Sequence, residues 1–189
     1  MSARGNRIFG DNEIRFLREL VRARVEFMIV GLSAAALQGA AVVTQDVDLW
    51  FRDTEDVGIK KALKKVGGKY LSSMGDNPPV FVGDVVEFFD IVLRMHGLGE
   101  FDEEKEGSIK VALGAFKVPV LPLARIIKSK QALGRPKDRL YLKVLADTQK
   151  SNRGRVRLVR GVRQRRDAQG GRDLDPSGRG RPGKRARNR

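Results

Sequence analysis

The chain contains no cysteine and a single histidine, His96, which removes several classes of chemistry at once. Without thiols it forms no disulfides, builds no thiolate zinc site and offers no cysteine nucleophile. One histidine cannot make a histidine-rich metal site within one chain. No apolar run approaches the roughly 18–20 residues that cross a bilayer, and the first residues turn polar before a signal-peptide core could form. We therefore expect a soluble cytoplasmic protein with no membrane partner.

Positive charge is concentrated at one end of the chain. Residues 151–189 carry 13 Arg and one Lys against three Asp, which is +11 of the formal +15, and residues 1–150 carry only +4. The tail has no aromatic residue and no hydrophobic periodicity, so it cannot bury enough apolar area to offset its ordering entropy. These features predict a folded domain at residues 1–150 and a disordered, Arg/Gly-rich tail at residues 151–189.

The tail offers a second kind of function. Residues 178–185, GRGRPGKR, resemble an AT-hook, whose basic side chains enter the minor groove of A·T-rich DNA. A solvated low-complexity tail and out-of-frame translation of a GC-rich gene are the two simpler explanations. A non-catalytic nucleic-acid-binding or regulatory protein that uses this tail is therefore the alternative to an enzyme.

Residues 1–150 alternate between helical and strand patterns. Apolar residues recur at helical spacing after Asp11, and short apolar runs bounded by Gly, Pro or Asp indicate strands. This order predicts an α+β fold (an α/β sandwich) in which a mixed β-sheet is flanked by helices. We predict helices at residues 11–24, 33–38, 54–66, 123–133 and 137–147, a strand at 27–30, a strand at 47–51, and hairpins at 79–93 and 109–120.

Three aspartates are the first candidates for chemistry. Asp46 and Asp48 are two residues apart at the start of a strand, so their side chains project from the same face. Asp90 lies inside the apolar run FFDIVL, where a charged side chain needs a partner or a function. If the two strands are neighbours, the three acids converge, and oxygen ligands of this kind suit two Mg²⁺ ions. Asp90 is then the natural general base, with Glu87 as the substitute.

A glycine turn precedes these acids. Gly31 and Ser33 lie between the strand FMIV and an Ala-rich helix. Glycine lets the backbone approach a ligand closely, and the free amides at a helix N-terminus favour phosphate. Ser33 is then either a helix N-cap or a donor to a phosphate oxygen.

Taken in order, FMIVGLSAAALQG, TQDVDLWF and FFDIV resemble the polymerase-beta superfamily of nucleotidyltransferases, and within it small bacterial domains that include the abortive-infection type toxins. The resemblance covers roughly residues 10–148. It implies Asp46, Asp48 and Asp90 as catalytic metal ligands, and Gly31 and Ser33 as the phosphate turn. Two further residues fall in its Lys-containing helix and the basic segment after it: Lys130 and Lys137.

The resemblance implies transfer of a nucleoside monophosphate from a nucleoside triphosphate (NTP) such as ATP to an acceptor, with Mg²⁺ as cofactor. The acceptor could be tRNA, a protein side chain or a small molecule such as an aminoglycoside, and a toxin role would add an antitoxin partner. Lys130 and Lys137 would neutralise triphosphate charge, although exposed helix positions explain them equally well. A serine hydrolase with its nucleophile at Ser33 is disfavoured, because only one strand precedes the turn and His96 is the sole histidine.

Overall fold

The computed structural model describes residues 8–74 and 77–170. The helices are α1 (Asp11–Arg22), α2 (Gly31–Leu37), α3 (Val57–Val66), α4 (Phe101–Glu106), α5 (Leu123–Leu133) and α6 (Pro136–Gly170). The strands are β1 (Phe27–Ile29), β2 (Val47–Phe51), β3 (Lys69–Leu71), β4 (Val80–Val82), β5 (Phe89–Val92), β6 (Ile109–Leu113) and β7 (Phe116–Val120). The chain divides into two units, Met1–Lys150 and Ser151–Arg189.

Five strands form one mixed sheet in the order β5-β2-β1-β7-β6. The central strand β1 pairs with β2 in antiparallel and with β7 in parallel orientation. β5 runs parallel to β2, and β6 closes the other edge antiparallel to β7. β3 and β4 make a separate two-stranded sheet. The predicted α+β class, with helices flanking a mixed sheet, is confirmed.

Aromatic packing holds β5 in place at one edge of the sheet. α1 directs Phe16, Leu17 and Leu20 into the core, all fully buried. The Phe16 ring meets the Phe89 ring edge-on, with centroids 5.0 Å apart, and the Phe81 ring at 5.4 Å. Edge-to-face pairs of this kind stabilise by about 0.5–1.5 kcal/mol beyond their area burial. Phe89 thereby anchors β5, the strand that carries the third aspartate.

Most helices and strands lie where the sequence placed them, including the hairpin of β6 and β7. Trp50 is buried in the core. The predicted hairpin at residues 79–93 is wrong, because β4 pairs with β3 and not with β5. The helix predicted at residues 54–66 begins at Val57, and its N-cap is Asp56, whose side chain accepts a hydrogen bond from the Gly58 amide.

The last helix differs most from the prediction. α6 runs from Pro136 to Gly170, whereas the sequence predicted a helix that ends at residue 147 and disorder from residue 151. No proline interrupts the chain between Pro136 and Pro176, and most of the intervening residues tolerate helical geometry, so an established helix can propagate. The AT-hook-like residues 178–185 lie outside the described part of the chain. No helix within residues 8–74 and 77–170 has both the length and the hydropathy of a membrane span.

Candidate active site

Two of the three aspartates lie side by side at the sheet edge. β2 and β5 pair so that Asp48 is directly in register with Asp90. Neighbouring strands are about 4.8 Å apart, and residues in register on parallel strands face the same side of the sheet. Asp46 lies two residues before Asp48, just outside β2. The condition set by the sequence, that the two strands be neighbours, is therefore met.

Gly31 lies against the Asp48 carboxylate. A Cβ atom added at Gly31 would be 1.8 Å from Asp48 Oδ2, far inside van der Waals contact, and the Gly31 φ of +63° favours glycine independently. The Val30 amide donates a 2.9 Å hydrogen bond to the Asp48 carbonyl oxygen, which holds the turn against β2. Only glycine leaves room for an acidic side chain beside this turn.

Burial and mutual repulsion disfavour the charged forms of two of these acids. Burial raises the pKa of Asp48 from its ordinary 3.8 to about 6, and the charges of Asp90 and then Asp46 push it in the same direction. Lys130 and Lys137 oppose this rise from a distance. Burial, followed by the charge of Asp46, also raises the pKa of Asp90. The charge of Asp46 therefore disfavours ionisation of both Asp48 and Asp90, and the charge of Asp90 disfavours ionisation of Asp48.

A cleft of about 520 Å³ opens in front of these residues. Gly31, Asp46, Asp48 and Asp90 line it. The end of α5, the turn after it, the start of α6 and the loops before β2 and after β5 contribute further lining residues, of which Arg94, Lys130, Arg135 and Lys137 are basic. The cleft thus combines the sheet-edge acids with a group of basic residues, here called the basic side, and the predicted Lys130 and Lys137 belong to that group.

Lys130 is not a free cation in that group. Its Nζ donates a 2.7 Å hydrogen bond to Asp138 Oδ1, and both side chains are largely buried. The ammonium also lies 5.7 Å from the centre of the Tyr141 ring. By contrast, the Lys137 side chain is exposed. The two lysines therefore contribute differently, one as a held donor and the other as a mobile positive charge.

Ser33 is the predicted site residue that the structure does not bring to the cleft. α2 begins at Gly31 with Val30 as its N-cap, so Ser33 lies inside the first turn and is not the cap. It is fully buried, and its hydroxyl donates to the Val30 carbonyl oxygen at 3.0 Å. The side chain faces the helix and the core, and the predicted role as phosphate donor has no geometric support.

Other residues line the cleft that the sequence did not single out as functional. Arg94 and Thr44 contribute from the loops that flank β5 and β2, and Tyr141 contributes from α6. Proximity in sequence to Asp90 and Asp46 was the only available signal for the first two. His96 is in a turn and also lines the cleft. Glu87 is exposed and does not line it.

The acids suit a hard divalent cation by their chemistry, although their side chains are not gathered around a single point. Within residues 8–74 and 77–170, no three acidic or histidine side chains are grouped closely enough to hold a metal ion. The donor set is made of carboxylate oxygens, which Mg²⁺ prefers, and a bound cation would oppose the rise in the pKa values of Asp48 and Asp90 that burial and neighbouring carboxylates cause. Asp46 is exposed and projects from a loop, so it can approach the other two by side-chain rotation.

Comparison with known proteins gives the fold a name. No family model matches the chain, and no curated protein does. Among solved structures it is similar to a crystal structure of the aminoglycoside nucleotidyltransferase ANT(2'')-Ia in complex with adenylyl-2''-tobramycin, with a TM-score of 0.50 and 15% identity over 80% of this chain and 94% of that one. The chain has the nucleotidyltransferase fold.

A second solved structure supports the same fold. The solution structure of the antibiotic-resistance factor ANT(2'')-Ia matches with a TM-score of 0.50 and 13% identity, over 85% of this chain and 95% of that one. The match therefore takes in nearly the whole of each neighbour and most of this chain. At such low identity the likeness describes how the backbone runs, and residue roles have to be argued from the cleft itself.

Proposed function

We propose that this protein transfers a nucleoside monophosphate from an NTP to a hydroxyl group of an acceptor and releases pyrophosphate, with Mg²⁺ as cofactor. One observation carries the proposal: Asp48 and Asp90 are in register on adjacent parallel strands, beside Gly31, in a cleft that Lys130 and Lys137 also line. A metal-bound triphosphate presents cations to the aspartates and phosphate oxygens to the lysines, so such a cleft can neutralise both kinds of charge. The nucleotidyltransferase fold makes this chemistry the first to test.

The three aspartates have different roles in the proposed reaction. Asp46 and Asp48 would hold two Mg²⁺ ions and Asp90 one of them, and bound Mg²⁺ supplies charge neutralisation to the phosphate oxygens. Asp90 also takes the proton of the acceptor hydroxyl, a role for which its raised pKa suits it. The acceptor oxygen forms a bond to the α-phosphorus, and the bond from that phosphorus to the β-phosphate oxygen breaks, so pyrophosphate leaves.

The remaining cleft residues position the nucleotide. Gly31 leaves room for both the Asp48 carboxylate and a close phosphate, because no side chain intervenes. Lys130 donates to phosphate oxygens from a fixed position, while Lys137 and Arg135 add positive charge from the rim. Such a site accelerates the reaction by positioning and charge neutralisation, without a covalent intermediate.

The acceptor class is a finer proposal. Because a solved neighbour is in complex with adenylyl-2''-tobramycin, we place a small hydroxyl-bearing molecule such as an aminoglycoside first. Transfer RNA and protein side chains are the other two candidates. The toxin role and the antitoxin partner stay predictions of the sequence resemblance, as does nucleic-acid binding through the tail.

The test is a transfer assay with each of the four α-³²P-labelled NTPs, Mg²⁺ and three acceptor pools: aminoglycosides, tRNA and cell-lysate protein. We expect label in one pool, loss of transfer with a chelator, and a loss of about a hundredfold or more in Asp48→Asn and Asp90→Asn. Glu87→Gln is the matched control, since Glu87 is an exposed acid near Asp90 outside the cleft. Normal transfer by Asp48→Asn would refute the assignment, and labelling of Ser33 by a fluorophosphonate would favour a hydrolase.

A further inference from the structure

A buried acid opens the last helix of the folded domain. Asp138 is in the first turn of α6, three residues after Arg135, whose carbonyl accepts the Asp138 amide at 2.9 Å. Gly134 ends α5 in the left-handed conformation with φ of +60°, and Pro136 starts the next helix. This short break folds the chain back, so that Asp138 faces Lys130 in the last turn of α5.

The pair that results is close but incompletely satisfied. The Lys130 side chain is 14% exposed and that of Asp138 only 5%. Asp138 Oδ1 accepts the lysine, yet Asp138 Oδ2 is buried without a hydrogen-bond partner among the described residues. A buried carboxylate that leaves an oxygen unpaired costs free energy, and apolar residues of similar volume often replace such a pair without loss of stability. Stability alone therefore gives no reason for an acid at residue 138.

The location of the pair supplies a reason. Both side chains line the same cleft as the acids of the sheet edge. Lysine has three N–H donors on a flexible four-carbon chain, and an unheld lysine loses much of its binding energy to ordering. One Lys130 donor is used on Asp138, and the Tyr141 ring flanks the ammonium. The remaining donors are then fixed in direction before any ligand arrives.

We infer that Asp138 is a positioning residue, which holds the Lys130 ammonium at the cleft wall so that its free N–H donors meet the phosphates of the nucleotide. This inference rests on the proposed function, because it assumes that phosphates occupy the basic side. The paired charges of Lys130 and Asp138 cancel, so the pair supplies directed donors, while exposed Arg135 and Lys137 supply the net positive charge of the wall.

The experiment measures binding of inorganic pyrophosphate, Mg²⁺–ATP and adenosine to the full chain by titration calorimetry. Asp138→Ala removes the acceptor, and Asp138→Asn keeps the shape and a neutral acceptor. Glu104→Ala and Glu104→Gln are the matched controls, since Glu104 is equally buried and paired with Arg125 but does not line the cleft. Circular dichroism confirms that each variant is folded before it is titrated.

We expect Asp138→Ala to weaken pyrophosphate and Mg²⁺–ATP binding by about ten- to hundredfold, with adenosine affinity, if measurable, unchanged. Asp138→Asn should weaken the same two ligands about threefold, because a neutral acceptor holds the lysine less firmly. If Asp138→Ala does not fold, the comparison of Asp138→Asn with Glu104→Gln decides. Wild-type affinity for pyrophosphate in the folded Asp138 variants, or equal weakening in the Glu104 variants, overturns the inference.

The binding readout separates this inference from the proposed function. A wild-type chain that binds pyrophosphate but transfers no nucleotide would end the proposed function, and the Asp138 comparison would still decide its own question. If the wild-type chain transfers nucleotide and the Asp138 variants bind pyrophosphate with wild-type affinity, the proposed function stands and the positioning role of Asp138 is wrong. A chain that binds none of the phosphate probes overturns both.

Discussion

Replacing Asp48 by Asn tests the electrostatics of the cleft with almost no change in side-chain size. In the wild-type protein without divalent cations, ionisation of Asp48 is opposed by burial and by the charges of Asp90 and Asp46. The asparagine variant cannot ionise, so it escapes that opposition. We therefore expect Asp48→Asn to be more stable than wild type at neutral pH in the presence of a chelator.

The magnitude follows from the proton affinity. The pKa of Asp48 is about 6 in the folded protein against an ordinary 3.8, a difference that corresponds to roughly 3 kcal/mol. Because the folded state binds the proton more tightly, this penalty is absent below about pH 4, grows between about pH 4 and 6, and is complete above that range. The cleft is open to solvent, so we expect a measured difference of about 1–3 kcal/mol at pH 7.5.

Urea unfolding between pH 4 and 8, with chelator and with Mg²⁺, measures the effect. Wild type should lose stability relative to Asp48→Asn as the pH rises through this range in chelator, and should recover in Mg²⁺. The variant should respond less to both changes, because it keeps only the contributions of Asp46 and Asp90. Asp147→Asn, an exposed aspartate on α6 that does not line the cleft, is the control. If the free energy of unfolding of wild type and of Asp48→Asn changes with pH in the same way, the argument that burial and the neighbouring acids oppose ionisation of Asp48 is wrong.

Two other substitutions separate the residues of the turn. Gly31→Ala should reduce transfer by about a hundredfold, because the added Cβ displaces the Asp48 carboxylate. It should also lower the free energy of unfolding in urea by at least about 1 kcal/mol, because the backbone has a positive φ at this residue. Transfer at the wild-type rate would show that the Gly31 contact is dispensable. Ser33→Ala should keep transfer within about threefold of wild type. It should lose about 1 kcal/mol of stability, because the Ser33 hydroxyl donates a hydrogen bond to the Val30 carbonyl in the core. A large loss of transfer with no loss of stability would instead support the role of Ser33 as a phosphate donor.

Local patterns predicted the parts of this fold that local chemistry determines. β2 was placed at its observed bounds, since VDLWF is apolar, β-branched or aromatic around one acid. The hairpin of β6 and β7 is set by Gly114, whose φ of +66° fits a tight turn. The convergence of Asp48 with Asp90 could be stated only as a condition, because pairing between strands some 40 residues apart leaves no local trace.

Where tertiary pairing competed with a local signal, the prediction failed. Gly83 with Asp84 looks like a hairpin turn, yet β4 pairs back to β3, which begins right after α3 and is only three residues long. Packing of Phe81 against Phe16 and Tyr70 favours that pairing, and no pattern in the sequence shows it. Ser33 failed for a related reason, because serine is the usual N-cap and here the helix starts two residues earlier at a glycine.

Among the described residues, no ion pair joins the sheet-edge acids to the basic side of the cleft. Within the described residues, Asp46, Asp48 and Asp90 form no ion pair, and neither do Arg94, Arg135 and Lys137. Opposite charges within one small cleft attract by about 1–4 kcal/mol at contact, so side chains free to meet would pair. Lys130 does form an ion pair within the cleft, but its partner is Asp138 and not one of the sheet-edge acids.

The charges of the cleft therefore neutralise one another only at a distance, through the effect of Lys130 and Lys137 on Asp48. A ligand that is purely anionic would be repelled by the sheet edge, and a purely cationic one by the basic side. A triphosphate that carries divalent cations on one flank presents both signs, and it would lower the pKa of Asp48 while it satisfies the basic side. Separated acids and bases in a cleft of about 520 Å³ therefore favour a metal–nucleotide over either ion alone.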